Sequence, residues 1–226
     1  YQSEEDYALV MSFNDTLKLQ DKSSVVISGK GVINNSISAF LMQKLDLIGI
    51  ETHFIQKNNM RQQLIQFVDV FPVQLQISSL ASGRYVNDFG MEDGFVFDSP
   101  IIDFRVKNGD LNYPIINEHQ IYSFSWLSKK EIAELKKLAI RVHDFLTGLF
   151  AGVGIRLVDI KLEFGRVFNG EEYMMMLTDE ISPDTCKLWD IHNNEKLCYE
   201  IVETNPDHVM AVYQEVLSRL NIKAES

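Results

Sequence analysis

The chain has 226 residues, of which 21 are Lys or Arg and 32 are Asp or Glu, so its formal net charge is −11. This acidic balance argues against nucleic acid as the main partner, because binding to a phosphate backbone depends on clustered Lys and Arg. Hydrophobic residues make up 46% of the chain, which excludes disordered and low-complexity proteins. No apolar run approaches the roughly 20 residues that a membrane span needs, so we expect no membrane partner and a soluble protein of one unit or two small lobes.

The first part of the chain predicts a β-rich region with one helix. A strand-like stretch covers residues 7–13, and we expect a further strand or hairpin before it in the complete protein. Apolar residues at helical spacing predict a helix over residues 34–48 that ends at Gly49. Three short strands are predicted at residues 52–56, 64–70 and 73–78. A tight connection at Pro72 is expected between the last two.

The second part predicts two helices on either side of a β-hairpin. Residues 128–131 (Ser-Lys-Lys-Glu) match a capping box, and an apolar stripe continues from there to Gly152. The last helix is expected to begin at Asn205, a polar N-cap candidate, with Pro206 in its first turn.

The two cysteines, Cys186 and Cys198, favour reduced structural thiols in a cytoplasmic protein, with a disulfide as the alternative. Neither cysteine lies in a Cys-x-x-Cys motif, and the five histidines are scattered along the chain. We therefore expect no structural zinc site.

Residues 158–164 alternate between apolar and charged side chains. The charged positions are Asp159, Lys161 and Glu163. Successive side chains of a strand point to opposite faces, so these three share one surface. On the pattern alone, an ordinary solvated face of a half-buried strand is the favoured interpretation, and a charged binding site is the alternative.

A second apolar run at residues 173–177 follows the Asn169-Gly170 pair, which is a strong hairpin signal. In a hairpin with a two-residue loop, Lys161 would pair with Thr178. The two runs are therefore expected to lie side by side as antiparallel strands.

The residues after this hairpin predict a pair of carboxylates. A strict hairpin would leave Asp179 on the face opposite to Glu163, so we predict a bulge or break after Leu177 that brings the two together. Two carboxylates beside a lysine can hold Mg²⁺ bridged to nucleotide phosphates.

Residues 29–31 (Gly-Lys-Gly) precede the first predicted helix and suggest two interpretations. Glycine amides before a helix can cradle phosphate, but the full pattern of a P-loop is absent. Glycines at this position are also common turn residues, and we favour that structural interpretation.

Four separated segments together resemble the SAICAR synthetase family. They are residues 29–38 (GKGVINNSIS), 49–54 (GIETHF), 157–165 (LVDIKLEFG) and 179–185 (DEISPDT). The segments occur in the family's order over nearly the whole chain, and residues 211–217 (AVYQEVL) resemble the family's final helix.

The resemblance implies an α+β fold with two lobes, related to the ATP-grasp architecture, with antiparallel sheets and flanking helices. We place a β-rich N-terminal lobe with one helix at residues 1–77. An α+β C-terminal lobe that carries the carboxylates for Mg²⁺ and ATP is placed at residues 78–226.

The resemblance also implies an ATP-dependent ligase of purine biosynthesis. Such an enzyme phosphorylates the carboxylate of carboxyaminoimidazole ribonucleotide, and the amine of L-aspartate then displaces phosphate to give SAICAR. ATP and Mg²⁺ are the implied cofactors, and the imidazole ribonucleotide and aspartate are the implied small-molecule partners. Family members commonly associate, so a homo-oligomer is an open expectation.

Site residues follow from the resemblance by position. The implied ATP-binding residues are Lys107, Gln74, Gln76, Glu163 and Asp179, of which the last two also bind Mg²⁺. The implied substrate-binding residues are Arg84, Asp159, Lys161 and Lys187, of which Asp159 and Lys161 are catalytic.

The sequence departs from the family pattern mainly around the ribonucleotide. Where the family has R-N-x-A-A-G-S, residues 78–84 are SSLASGR, which leaves Arg84 as a replacement within the same segment. Lys187 stands in place of an arginine, and Tyr113 in place of an aspartate. Each lost anion contact is worth about 1.5–3 kcal/mol. A degenerate paralogue that binds nucleotide or a protein partner, and an ATP-dependent ligase for a different small acid, therefore stay open as alternatives.

Overall fold

The structure, a computed structural model, describes residues 8–19 and 23–223. In this part of the chain the strands are, in order, β1 (Ala8–Ser12), β2 (Thr16–Lys18), β3 (Ser24–Val26), β4 (Phe54–Asn59), β5 (Gln62–Gln66), β6 (Asp69–Leu80), β7 (Val96–Val106), β8 (Ile115–Ile116), β9 (Ile155–Phe168), β10 (Tyr173–Thr178) and β11 (Cys186–Asp190). The α-helices are α1 (Lys30–Asp46), α2 (Arg84–Phe89), α3 (Glu118–Ser123), α4 (Lys129–Ala151) and α5 (Val209–Arg219). Short 3₁₀ turns cover Tyr199–Glu203 and Pro206–His208.

The named strands form three antiparallel sheets. A three-stranded sheet has the order β1-β5-β4, and β2 pairs with β3. The largest sheet has the order β10-β9-β6-β7-β8, and β11 also pairs with β9. Because β9 has 14 residues, its first half pairs with β11 and its second half with β10, while β6 pairs with its other edge. Strands β6 and β9 are therefore the centre of this sheet.

Helix α4 covers one face of the six-stranded sheet through its contacts with β9 and β6. Its apolar stripe is buried, and Leu135, Val142 and Leu146 are fully excluded from solvent. Facing it, the buried apolar residues of the sheet include Ile77 and Ile160. Burying a side chain of this size contributes about 1.5–3 kcal/mol, so this layer anchors the fold.

Helix α1 packs against α5 and against β4 and β5 of the three-stranded sheet. Ile37, Leu41 and Leu45 are fully buried in this layer. These residues belong to the same apolar core cluster as the α4 layer. A continuous core therefore joins the smaller sheet, the larger sheet and the helices.

The structure confirms several expected elements. The α+β architecture with antiparallel sheets is present, and Ser128 and Glu131 make both hydrogen bonds of the capping box that begins α4. The last helix begins with the predicted proline in a 3₁₀ turn and continues as α5. The first predicted strand is found as β1, although residue 7 lies outside the described residues.

Several predicted boundaries are wrong. The predicted strand at residues 64–70 ends at Gln66 as β5, and residues 69–70 already belong to β6. Helix α1 begins at Lys30 rather than at residue 34, because Gly29 adopts a left-handed N-cap conformation and the first turn carries few of the apolar residues that define the stripe. Pro72 does not separate two strands but lies inside β6, where the register with β9 shifts between Val70 and Gln74. A proline is tolerated in a strand at such an irregularity because the backbone N–H it lacks is not needed there.

The predicted lobe boundary between residues 77 and 78 falls inside β6. Core residues on both sides of it belong to the same apolar cluster, and the division into two lobes stays a prediction. Among residues 8–19 and 23–223, none of the helices has both the length and the apolar character needed to cross a lipid bilayer.

Candidate active site

The face of the six-stranded sheet opposite α4 carries polar side chains in three rows. Residues directly opposite each other on neighbouring antiparallel strands share a face of the sheet. The rows are Lys187-Asp159-Ser78, Lys161-Gln76-Asp103 and Glu163-Gln74-Arg105. We call these nine residues the site face.

Burial of the site face contradicts the interpretation of an ordinary solvated strand. Asp159 is 3% exposed and Glu163 is 8% exposed. Ionisable side chains are rarely buried to this degree unless they are paired. The alternative, a charged binding site, is therefore the better account of the alternating pattern in β9.

Asp159 lies at the centre of a hydrogen-bonded network. The Gln76 amide donates to Asp159 Oδ2 at 3.1 Å, and Arg105 Nε donates to Gln76 Oε1 at 2.8 Å. Lys187 Nζ lies 3.7 Å from Asp159 Oδ2 and 3.0 Å from Glu200 Oε1. Burial raises the pKa of Asp159, and the charges of nearby lysines oppose that rise. The network thus fixes the carboxylate and its amide partner in one arrangement.

Lys161 lies beside this network, with its ammonium 4.9 Å from the centre of the Tyr199 ring. Burial lowers the pKa of Lys161, and the charge of Asp159 opposes that change. Contact with an aromatic face stabilises a cation at low cost in hydration. Lys161 is therefore held in a partly dehydrated position, where burial favours its neutral form and Asp159 favours its charged form.

The hairpin between β9 and β10 has a different register from the one predicted. Residues 169–172 connect the strands, and Thr178 pairs with Glu163 rather than with Lys161. The predicted two-residue loop is wrong, because the turn takes four residues and moves the pairing by two positions along β9. This shift keeps Thr178 on the same face of the sheet as Glu163.

The strand breaks at Asp179, one residue later than predicted, where the backbone is left-handed with φ of 63°. This break brings Asp179 near Glu163, as the sequence predicted. Burial and then the charge of Glu163 raise the pKa of Asp179 to about 7, while Lys107 opposes the rise. Lys107 also forms an ion pair with Glu163. Two carboxylates that repel each other beside a single lysine form a donor set that fits a divalent cation.

Arg84 borders the site face and Lys187 belongs to it, and the two contact different carboxylates. Arg84 Nη2 lies 3.6 Å from Asp103 Oδ1, and its guanidinium lies 5.1 Å from the centre of the Tyr85 ring. Lys187 Nζ lies 3.3 Å from Ser82 Oγ, in the segment that precedes Arg84. The structure therefore gathers all the predicted site residues on or beside one face, while their individual roles stay predictions.

Sequence reasoning missed three charged residues of this region, Asp103, Arg105 and Glu200. The first two alternate with apolar residues in β7, so the same strand pattern that marked β9 could have indicated them. No sequence pattern marks Glu200, because it reaches Lys187 from a 3₁₀ turn that is distant from β9 in the chain.

The Gly-Lys-Gly segment has a structural role, as favoured. The amides of Gly29 and Gly31 donate to the carboxylate of Asp15 at 3.2 and 3.0 Å. Asp15 is also held by Arg61 through two hydrogen bonds of 2.8 and 2.9 Å. A side-chain carboxylate therefore occupies the position at the start of α1 that a phosphate would take in a nucleotide-binding loop.

The matching family model, the curated relatives and the solved structures agree on one family. The family model described as SAICAR synthetase matches residues 1–220. The chain is 58% identical over 223 residues to the phosphoribosylaminoimidazole-succinocarboxamide synthase of Rickettsia massiliae. The matched region covers 99% of this chain and 94% of that protein. The crystal structure of the enzyme with the same name from Ehrlichia chaffeensis is 39% identical with a TM-score of 0.95, over 100% of this chain and 95% of that one. A SAICAR synthetase in complex with ADP is 28% identical with a TM-score of 0.92, over 99% of this chain and 95% of that one.

Proposed function

Because the chain belongs to the SAICAR synthetase family, we propose that the site face and the carboxylates beside it hold the reaction of that family. The chain is an ATP-dependent ligase of purine biosynthesis that joins carboxyaminoimidazole ribonucleotide and L-aspartate. ATP phosphorylates the carboxylate of the ribonucleotide, and the amine of aspartate displaces phosphate from this acyl phosphate to leave an amide. The products are SAICAR, ADP and phosphate.

The nucleotide is proposed to bind beside Lys107, Glu163 and Asp179, with Gln74 and Gln76 on the adjoining strand. The observation that carries this assignment is the approach of two buried carboxylates to each other and to one lysine. Mg²⁺ held by Glu163 and Asp179 would neutralise charge on the triphosphate. The solved relative in complex with ADP supports a nucleotide in this chain as well.

The ribonucleotide and aspartate are proposed to meet at Asp159 and Lys161. Lys161 supplies positive charge to the anionic acyl phosphate, and its partly dehydrated position strengthens that interaction. The attacking amine must lose a proton, and the buried carboxylate of Asp159 is positioned to accept it. The burial and the charges of the two side chains support both roles.

Anion recognition beside this centre is assigned to Arg84 and Lys187. Arg84 is bound to one carboxylate, and its side chain is 22% exposed, so its guanidinium keeps donors for a substrate phosphate or carboxylate. Lys187 is already shared between Asp159 and Glu200 and is proposed to orient Asp159 as well as to bind substrate. Identity of 58% along nearly the whole chain to a named synthase favours SAICAR synthesis over a degenerate paralogue or a different acid substrate.

A cytoplasmic location and a homo-oligomer complete the proposal. Cys186 and Cys198 are free and buried, which supports a reducing compartment. Light scattering of the purified full chain gives its molar mass in solution and tests the oligomer.

Calorimetry with ATP-Mg²⁺, and separately with the imidazole ribonucleotide, tests the assignment of the site. Both ligands are expected to bind. Glu163→Gln should abolish Mg²⁺-dependent nucleotide binding, because the amide removes one of two anionic ligands. Glu171→Gln, at an exposed position of the hairpin loop, is the matched control and should bind as the unmodified protein does. Unchanged nucleotide affinity in Glu163→Gln would remove Glu163 from the metal site.

A further inference from the structure

Asp179 lies in the segment formed by residues 177–184. This segment is attached to two other parts of the fold. The Leu177 amide donates to the Glu51 carbonyl at 3.0 Å, and the His53 amide donates to the Leu177 carbonyl at 2.9 Å. Further along, the Ile181 amide donates to Ser38 Oγ of α1 at 3.3 Å. These contacts hold the residues on both sides of Asp179. The remainder of the segment is held by other partners.

A buried ion pair holds the far end of the segment. Lys30, in the first turn of α1, pairs with the carboxylate of Asp184. The hydroxyl of Tyr213 in α5 donates to Asp184 Oδ1 at 2.5 Å. Lys30 is 3% exposed, and Tyr213 is fully buried. Two helices that pack against each other therefore converge on one carboxylate of this segment.

The His53 ring lies beside the backbone of Asp179, at the near end of the segment. Burial lowers the pKa of His53 to about 4, so the ring is neutral at pH 7. The left-handed backbone of Asp179 is disfavoured for a residue with a side chain, and such a conformation persists only where the surroundings enforce it. The hydrogen bonds of Leu177 and Ile181 and the ion pair of Asp184 provide that enforcement, with the His53 ring packed beside them.

We propose that Lys30, His53, Asp184 and Tyr213, here called the brace, are positioning residues that hold Asp179 facing Glu163 for the metal-bound nucleotide. This inference rests on the proposed function of Glu163 and Asp179. The brace acts on the nucleotide only through Asp179.

Electrostatics favours positioning over a purely stabilising role. A buried ion pair adds little stability compared with apolar side chains of the same size, whereas it fixes geometry through directed hydrogen bonds. Glu163 is a buried carboxylate, and the residue that pairs with it, Thr178, directly precedes Asp179, so the carboxylates of Glu163 and Asp179 repel each other when both are ionised. Without a ligand, a loosely held Asp179 would turn away from Glu163, and binding would then have to restore the arrangement. The brace removes that cost in advance.

The test measures ADP affinity by calorimetry with and without Mg²⁺ for the full chain and for Lys30→Met and Tyr213→Phe. Loss of partners that orient a metal ligand typically weakens metal affinity roughly 10–100-fold. We expect Mg²⁺-dependent ADP binding to weaken by about this factor in Lys30→Met, and by less in Tyr213→Phe, which removes only one hydroxyl. ADP affinity without Mg²⁺ should stay within about twofold, because the brace acts only through the metal ligand.

Arg219→Met is the matched control, since it removes an ion pair of α5 with Asp190, at 2.6 Å, that does not involve residues 179–185. It should lower thermal stability and leave Mg²⁺-dependent ADP affinity unchanged. Equal Mg²⁺ dependence in Lys30→Met and the unmodified chain would overturn the brace alone. Equal weakening with and without Mg²⁺ would assign these residues a general structural role and also overturn it. No Mg²⁺ dependence in the unmodified chain would overturn the proposed metal site and the brace together.

Discussion

Single carboxylates in this molecule differ in their environment according to their partners. Asp159 and Glu163 alternate on the same strand and each lies beside a lysine, but Asp159 also accepts a hydrogen bond from an amide, whereas Glu163 also lies near a second carboxylate. Pairing with a cation and an amide fixes the position of a side chain, while repulsion between two carboxylates favours the binding of a cation between them. The environment, more than the residue type, therefore distinguishes these two carboxylates, and it supports the proposed division of the site into a substrate part and a nucleotide part.

Asp15 gives a prediction for stability and its pH dependence. The hydrogen bond from Arg61 holds the pKa of Asp15 below its usual value of 3.8. A depressed pKa in the folded state stabilises the protein above the unfolded pKa, and this contribution is lost as pH falls towards the folded pKa. Asp15→Asn should therefore lower the free energy of unfolding by about 1–2 kcal/mol at pH 7, a figure reduced by the partial exposure of Arg61.

Urea unfolding at pH 7 and at pH 3 checks this prediction. The difference between Asp15→Asn and the unmodified chain should shrink at pH 3, where the stabilising ionisation is being lost. Asp88→Asn, at an exposed carboxylate, should change the free energy of unfolding by less than about 0.5 kcal/mol at both pH values. A pH-independent difference for Asp15→Asn would contradict the role of its charge.

Helix α4 is the element whose stability is most directly encoded by local sequence. Ser128 Oγ accepts a hydrogen bond from the Glu131 amide at 3.2 Å, and Glu131 accepts one from the Ser128 amide at 2.7 Å. Ser128→Ala removes the first bond and should cost about 1 kcal/mol. Ser128→Thr keeps the hydroxyl and should cost clearly less. Chemical denaturation of both variants measures the difference, and equal losses would show that the cap is not what the alanine removes.

Elements with local determinants were the ones that could be predicted from the sequence. Helix α4 combines a capping box with an apolar stripe, so its start and its buried face are both encoded within a few residues. The position of Pro72 inside β6 depends instead on a register shift against β9, which lies far away in the chain. The four-residue turn between β9 and β10 likewise depends on pairing that the Asn169-Gly170 pair alone does not specify.

The candidate site shows the same difference between features that depend on local sequence and features that depend on distant residues. Alternation along β9 placed Asp159, Lys161 and Glu163 on one surface, because the period of a strand is a local property. Their partners come from other elements, as Glu200 and Asp103 do, and only the sheet register and a distant turn bring them into contact. Sequence therefore predicts the central strand of a site better than the residues that complete it.

At the scale of the whole molecule, the site and the core share the same two strands. Strands β6 and β9 pack against α4 on one face and carry the site face on the other. The apolar core continues from this layer to α1 and α5, the helices that hold the segment of Asp179. A ligand on the site face therefore contacts elements whose loss would unfold most of the described chain.

This arrangement predicts that nucleotide raises the stability of the entire chain in one transition. A ligand that binds only the folded state at 100 times its dissociation constant stabilises it by about 2.7 kcal/mol. For a chain of this length, that corresponds to an increase in the midpoint of thermal unfolding of about 5–10 °C. Calorimetric scans with ADP and Mg²⁺ measure it, and ADP with a chelator is the control, which should give a much smaller shift. Glu163→Gln should lose the Mg²⁺-dependent part of the shift, measured from the unfolding midpoint of the same variant without ligand. A second, unshifted transition in the presence of ligand would instead mean that part of the fold unfolds independently of the sheet that carries the site.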